Sequence, residues 1–301
     1  MTRKRIASAA GAIAGIGAAC FGWGLLEARM FTVHHVQLPL LGASDRRELR
    51  LLHLSDIHLM PGQARKLQFL RELARLKPDV VVNTGDNLSH PEAVEPLLEA
   101  LSGLHHVPGV FVFGSNDYVA PVFKNPLRYV ARGHADPSLE GPALPTAELK
   151  AAFEDVGWSD LTNQRATVTA SGFELAFRGA DDAHVDLDRY DLVAGRAQQA
   201  DLNIGVTHAP YRRLLDAMTA DAMDLILAGH THGGQVCVPG YGALVTNCDI
   251  EPGRVKGLSA HTKNGHTSHL HVSAGVGTSP FAPYRFACRP EVTLLTLTAR
   301  A

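Results

Sequence analysis

The chain has 301 residues, 46% of them hydrophobic and 19% charged, with a formal net charge of −2. That composition supports a sizeable packed core and excludes a chain disordered throughout. A pI near 6.8 excludes the basic balance expected of a nucleic-acid binder.

In chain order, Arg3, Lys4 and Arg5 precede a charge-free run from Ile6 to Leu26. A run of roughly 20 apolar residues can cross a bilayer as a helix, and the basic flank keeps its N-terminal end in the cytoplasm. Residues 1–30 are therefore expected to form a signal anchor or transmembrane segment, with the rest outside the cytoplasm. The run is rich in Gly and Ala, which weakens insertion. A cleaved signal, a lipid attached at "GAAC" (Gly17–Cys20) and a buried helix are the alternatives.

From Leu49 short apolar runs alternate with amphipathic ones. "LRLLHLSDIHL", "PDVVVNTGDNL" and "PGVFVFGSND" read as buried strands, "ARKLQFLRELARL" and "EAVEPLLEAL" as helices. This alternation implies parallel strands joined by helical crossovers. Val119–Pro145, with several prolines and glycines, reads as an excursion or lid over the site, or equally as a disordered surface loop. After the helix "TAELKAAFEDVG", "ATVTASGFELAFRGADD" reads as a hairpin, and "LNIGVTHAP", "MDLILAGHTHGG", "HLHVSAGVG" and "EVTLLTLTA" as strands. The expected fold class is α/β, two packed mixed sheets flanked by helices, in one domain over 48–301. Cys20, Cys237, Cys248 and Cys288 show no CxxC spacing, so a cysteine zinc site is excluded. Cys237 and Cys248 flank a hairpin and could bridge outside the cytoplasm; free thiols packed in the core are the alternative.

Sixteen histidines stand out, because imidazole is the commonest metal ligand and proton carrier near neutral pH. The apolar strands end in polar clusters: Asp56 and His58, Asp86, His208, then His230 and His232. Asp56 and His58 are two apart, so in extended chain they leave one face. Strand ends in open α/β sheets converge on one crevice, which lets these six residues meet. Carboxylates and imidazoles without thiolates suit Mn, Fe or Zn, and two such ions would keep surplus positive charge for phosphate oxygens.

"DIH", "GDN", "GSND", "THAP" and "GHTHGG", in that order, resemble the motifs of the calcineurin-like metallophosphoesterase superfamily. "GQVCVPG" and the tail from "SAGVGTSPF" resemble its YkuE/YaeI-like membrane-associated phosphodiesterase branch. The resemblance implies two divalent ions: Asp56, His58 and His232 at the first, Asp86 bridging, His208 and His230 with a "GSND" oxygen at the second. It implies in-line attack on phosphorus by a hydroxide between the ions, with Asp56 orienting it.

The family usually reads Gly-Asn-His-Asp or Gly-Asn-His-Glu where this chain reads Gly-Ser-Asn-Asp. Either Ser115 ligates through its hydroxyl or Asn116 supplies its carbonyl oxygen; Asn116 is favoured for its longer arm. Neither can protonate a leaving group as an imidazolium does, a loss that typically costs 10²–10⁴ in rate. His90, after "GDNLSH", is the candidate replacement, with a helix-entry role as its alternative. Asp181, Asp182 and His184, in "GADDAH", form a turn at a strand end or line the cleft, Asp117 is expected to brace the loop, and Arg285 could meet a phosphate or a structural carboxylate. The expected function is that of a metal-dependent phosphodiesterase acting on a lipid-linked or envelope phosphoester, membrane-held and monomeric. The alternative is a tethered metal- and phosphate-binding module with weak turnover. A serine hydrolase is excluded for want of a nucleophile-elbow sequence.

Overall fold

The computed structural model describes residues 3–123 and 139–300. Two six-stranded sheets carry the fold. The first runs, edge to edge, Thr32–Leu41, Glu291–Ala299, Leu49–Leu54, Val80–Asn83, Gly109–Phe111 and Trp158–Asp160, parallel except where Glu291–Ala299 meets Leu49–Leu54. The second runs Gly257–Lys263, His266–Val272, Leu225–Ala228, Leu202–Thr207, Phe173–Ala180 and Arg165–Ala170. Its centre is parallel and its edges are antiparallel hairpins. The mixed α/β architecture is as expected.

Side-chain alternation along each strand explains the layers. Leu51, Val82 and Val110 face the other sheet, where Phe177, Ile204 and Leu227 meet them in one buried cluster. Their neighbours Leu52, Val81 and Phe111 point the opposite way, onto Leu70, Leu97 and Phe153 of the helices Ala64–Glu72, Val94–Leu101 and Thr146–Asp155. Strands buried on both faces need unbroken apolar runs, which is what the sequence shows. Each fully buried side chain of this size contributes about 1.5–3 kcal/mol.

The described residues bear on three further expectations. A helix does run Arg3–Glu27, but among the described residues no helix is long and apolar enough to cross a membrane. Its last turn is tied to the domain: buried Glu27 accepts from Cys288 N at 2.8 Å and Ala287 N at 3.1 Å. Secondly, the first sheet takes in Thr32–Leu41, upstream of residue 48, as an edge strand parallel to Glu291–Ala299. Thirdly, no disulfide links Cys237 and Cys248; both are buried free thiols, as is Cys288, and Cys237 Sγ meets Gly233 O at 3.2 Å.

Residues 124–138 of the expected lid lie outside the described residues. Its two ends are joined: Ala120 N donates to Pro142 O at 2.8 Å and Leu144 N to Tyr118 O at 2.9 Å.

Candidate metal centre

Each candidate ligand follows the C-terminal end of a parallel strand: Asp56 and His58 follow Leu54, Asp86 follows Asn83, Asn116 follows Phe111, His208 follows Thr207, and His230 and His232 follow Ala228. The strand ends of both sheets therefore share one edge. Asp56 and His58 are not on extended chain, contrary to the two-residue spacing argument. Asp56, His58, Asp86, His230 and His232 all have left-handed backbone, with φ of 49°, 44°, 55°, 68° and 50°. Such conformations cost non-glycine residues about 1–3 kcal/mol each and persist only where the surroundings impose them. Here loop-to-loop bonds do so: Asp56 N donates to Gly85 O and His58 N to Asp86 O, both at 2.9 Å.

The side chains gather tightly. His58 Nε2 lies 3.3 Å from Asp86 Oδ2 and 3.2 Å from His232 Nε2. His232 Nε2 is 3.6 Å from Asp56 Oδ1. On the far side of Asp86, His208 Nε2 is 3.5 Å from Oδ2 and 3.3 Å from His230 Nδ1. Two donor groups emerge, Asp56–His58–His232 and Asp56–Asp86–His208, each with its ligand atoms within 4.8 Å of one another.

The outward nitrogens settle which way each ring points. His58 Nδ1 faces Ser89 Oγ (3.3 Å), and His232 Nδ1 faces Gly277 O (3.2 Å). His208 Nδ1 faces Thr84 O (2.7 Å), and His230 Nε2 faces Asn247 O (3.0 Å). An acceptor on the outer nitrogen fixes its proton there and leaves the inner lone pair free for a cation. Asp56 is held in turn by a relay: Ser55 Oγ donates to its Oδ2 at 2.5 Å, Thr84 Oγ1 to Ser55 Oγ at 2.6 Å, and His53 lies behind Thr84 at 3.0 Å. His271 backs His53 at 2.9 Å, so two buried histidines behind the site support a ligand.

Charge completes the fit test. Burial pushes His58 down to about 4 and His232 well below its usual value, so both offer lone pairs. Burial works against ionisation of Asp86 too, yet His208 and His58 hold it below the usual carboxylate range. Burial and the neighbouring Asp86 carboxylate raise Asp56 to about 6. Burial lowers His208, but Asp86, Asp182 and Asp56 outweigh it and hold the imidazole up to about 10. The buried carboxylates thus draw positive charge into the site, here as a proton on His208, which a cation on the inner nitrogens would replace. The donor set fits two divalent cations.

Residues 49–234 match the family described as calcineurin-like phosphoesterase. The chain belongs to that family. It is a metal-dependent phosphoester hydrolase of the branch that includes the metallophosphoesterase YkuE of Bacillus subtilis, 26% identical over 81% of this chain and 76% of YkuE. The B. subtilis protein YpbG is 28% identical over 86% of this chain and 85% of its own length. The Escherichia coli phosphodiesterase YaeI is 28% identical over 82% of each chain.

In this phosphoesterase the altered loop Gly114–Asp117 is bound from three sides. Asn116 N and Nδ2 donate to Asp86 Oδ1 and Oδ2, both at 2.8 Å, which brings the Asn116 amide to the carboxylate between the two donor groups. Ser115 N donates to Asp182 Oδ2 at 2.8 Å. Asp117 braces the loop as expected, accepting from Asp86 N and Asn87 N at 2.8 Å and Gly114 N at 3.1 Å. Gly114 is required by contact: a Cβ there would strike Asp86 Oδ1 and lie 2.7 Å from the His208 ring.

His90 sits elsewhere. It caps the turn Pro91–Ala93, its Nδ1 accepting from Glu92 N at 3.2 Å, and among the described residues no bond joins it to the cluster. His184 is the imidazole that reaches the centre, its ring 4.5 Å from that of His230 and its Nδ1 2.9 Å from Tyr211 Oη. With Tyr211, Arg213 and Asp249 it lines a cavity of about 260 Å³ beside the cluster. Among the described residues Arg285 pairs with no carboxylate. Fully buried, it donates to the carbonyls of Ala274 (2.6 Å) and Gly277 (2.7 Å), fixing the loop that orients His232.

Proposed function

We propose that this hydrolase is a phosphodiesterase whose first ion is held by Asp56, His58 and His232 and whose second is held by His208, His230 and the Asn116 amide oxygen, with Asp86 between them. The observation that carries this reading is the four imidazoles, each tied outward to an oxygen, three of them facing Asp56 or Asp86 and the fourth, His230, facing His208. When bound, the two ions supply Lewis-acid activation of water and positive charge for the phosphoryl oxygens. The chain's residues do the rest. Asp56, held by Ser55 Oγ and His230 N, is placed to accept a proton from the attacking water. Asn116 replaces the loop's usual imidazole with a neutral amide, so no proton reaches the leaving group from that position, and esters with acidic leaving groups are favoured. YaeI, similar along most of both chains, is named a phosphodiesterase, which supports diester over monoester chemistry. Manganese, iron and zinc all suit the donor set. His90 remains the capping residue that comparison of nitrophenyl and alkyl esters tests; equal losses in His90→Ala would remove it from protonation.

The test is turnover of bis(p-nitrophenyl) phosphate with added manganese. Wild-type protein should bind close to two ions per chain and hydrolyse the ester, and Asp86→Ala should lose both the activity and the tight binding. Two bound ions with no turnover on a broad ester panel would instead support a binding module.

The membrane belongs to the same proposal. The basic cluster Arg3–Arg5 and the charge-free run that follows support anchorage with the domain outside the cytoplasm, and a lipid-linked or envelope phosphoester as substrate. Fractionation of the full chain, with N-terminal sequencing, checks both anchorage and cleavage.

A further inference from the structure

Where the N-terminal helix gives way to the domain, a groove lies that the hydrolytic centre does not use. Phe31 and Phe69 stack at its floor, centroids 5.0 Å apart and 18° from parallel. The groove, about 740 Å³, opens between the turn after the helix and the helix Ala64–Glu72, and Arg29, Arg65, Arg71 and Arg289 stand around it. Arg71 is paired with Glu99 at 2.9 Å. Among the described residues Arg29, Arg65 and Arg289 make no ion pair, and all three are exposed. The one carboxylate of the lining, Glu72, already accepts from Gln68 at 2.7 Å and faces Arg75 at 3.9 Å. On a chain whose net charge is −2, three unpaired guanidiniums around one apolar floor form a local excess of the opposite sign.

The helix leading into the groove continues the pattern. Phe21, Trp23 and Leu26, within its last two turns, are 56%, 46% and 59% exposed. At a rise of about 1.5 Å per residue, Leu26 lies about 4.5 Å along the helix axis from the level of Arg29. Large apolar and aromatic side chains followed by arginine match the layering of a membrane surface, where rings settle at the acyl boundary and cations at the phosphates. Guanidinium forks suit a phosphate diester better than ammonium groups do, because they can bind it bidentately.

We propose that Arg29, Arg65 and Arg289, over the Phe31–Phe69 stack, seat the headgroup of an anionic phospholipid, with Phe21, Trp23 and Leu26 in the acyl boundary. This docks the domain on an anionic bilayer whether or not the preceding helix inserts. Each arginine near an anionic surface strengthens binding about five-fold, so the three together contribute about a hundred-fold.

The test is co-sedimentation of the full chain with vesicles of phosphatidylcholine alone and with about a third phosphatidylglycerol. Binding is expected to rise at least ten-fold with phosphatidylglycerol and to fall back at about 0.5 M salt, where the screening length is a few ångströms. The triple variant Arg29→Gln, Arg65→Gln, Arg289→Gln should lose that rise while hydrolysing bis(p-nitrophenyl) phosphate normally. Any insertion of the helix contributes equally to both vesicles and cancels. Glu72→Gln, which removes the groove's carboxylate, should strengthen phosphatidylglycerol binding, a gain that misfolding cannot imitate. Equal binding to both vesicles, or an unchanged rise in the triple variant, overturns the proposal. Displacement by millimolar glycerol phosphate overturns it too, since that would mark a site for soluble phosphate.

Discussion

Asp117 accepts three backbone N–H groups and also lies 3.3 Å from Asn87 Nδ2, all without reaching the inner face of the metal cluster. Burial and the nearby Asp86 carboxylate push it up to about 7. Asp117→Asn would turn an amide NH₂ toward groups that are themselves donors. One backbone N–H should lose its acceptor, at about 1–3 kcal/mol, and manganese affinity should fall about 10–100-fold, as for other residues that orient ligands. Calorimetric titration checks this, and an unchanged affinity would show that the loop holds its shape without the carboxylate. Gly114 sets the second limit at this scale. Gly114→Ala must shift Asp86 or His208, and displacements of about 1 Å at a reacting centre can cost about 10²-fold in rate. Activity should collapse while circular dichroism stays native; a variant at wild-type rate would refute the contact argument. The ligands themselves were readable because each follows an apolar strand. Their outward partners were not, since Thr84, Asn247 and Gly277 contribute backbone carbonyls, a group every residue carries. The left-handed backbone at Asp56 and His58 left no mark either, because neither position is a glycine.

At the scale of elements, the one-turn helix Ser115–Tyr118 is fastened to the end of the strand Phe173–Ala180 as well as to the metal cluster. Tyr118 Oη donates to Asp181 Oδ1 at 2.8 Å, and Ser115 N to Asp182 Oδ2. A loop of the first sheet is thereby tied to the second sheet. Burial pushes the Asp181 carboxyl up to about 6, the Tyr118 hydrogen bond opposing. A pKa raised on folding means that the native state binds more protons between the ordinary carboxylate value and about pH 6. Stability should therefore fall as pH rises through that window and stay lower above it. Asp181→Asn keeps an acceptor for Tyr118 and removes the charge. It should flatten this dependence and raise stability above pH 6 by about 2 kcal/mol. Urea unfolding at pH 4.5 and 7.5 decides the matter: an equal effect of the variant at both would refute it. The same strand end shows what sequence could deliver. "GADD" was legible as a turn at a strand's end, but its attachment to "GSND", 67 residues away for Asp182 and Ser115, has no local signature. The strand Thr32–Leu41 was missed for another reason. Its "TVHHVQLPLL" is half exposed, carries Pro39 and lies at a sheet edge, where proline is tolerated and the apolar alternation fades.

For the whole molecule, the N-terminal helix is bound to the loop that braces His232. Glu27 accepts from Cys288 N, Ala287 N and, at 2.8 Å, Trp23 Nε1, while Arg285 N donates to Gly24 O at 3.0 Å. The next links reach the centre directly: Cys288 Sγ meets His232 O at 3.3 Å, and Arg285 holds the carbonyls of Ala274 and Gly277. A cleaved leader or a passive tether would need none of these bonds. Glu27→Ala leaves two backbone donors without their acceptor and should cost about 2–5 kcal/mol. At this chain length that lowers Tm by about 3–8 °C. A chain beginning at Arg29 loses the same acceptor and also the Gly24 carbonyl, so it should melt no higher than the Glu27→Ala protein and take up manganese more weakly. If the shortened chain instead melts with the full one and binds two ions equally well, the helix is only a tether. The metal centre would then be assembled by the two sheets alone.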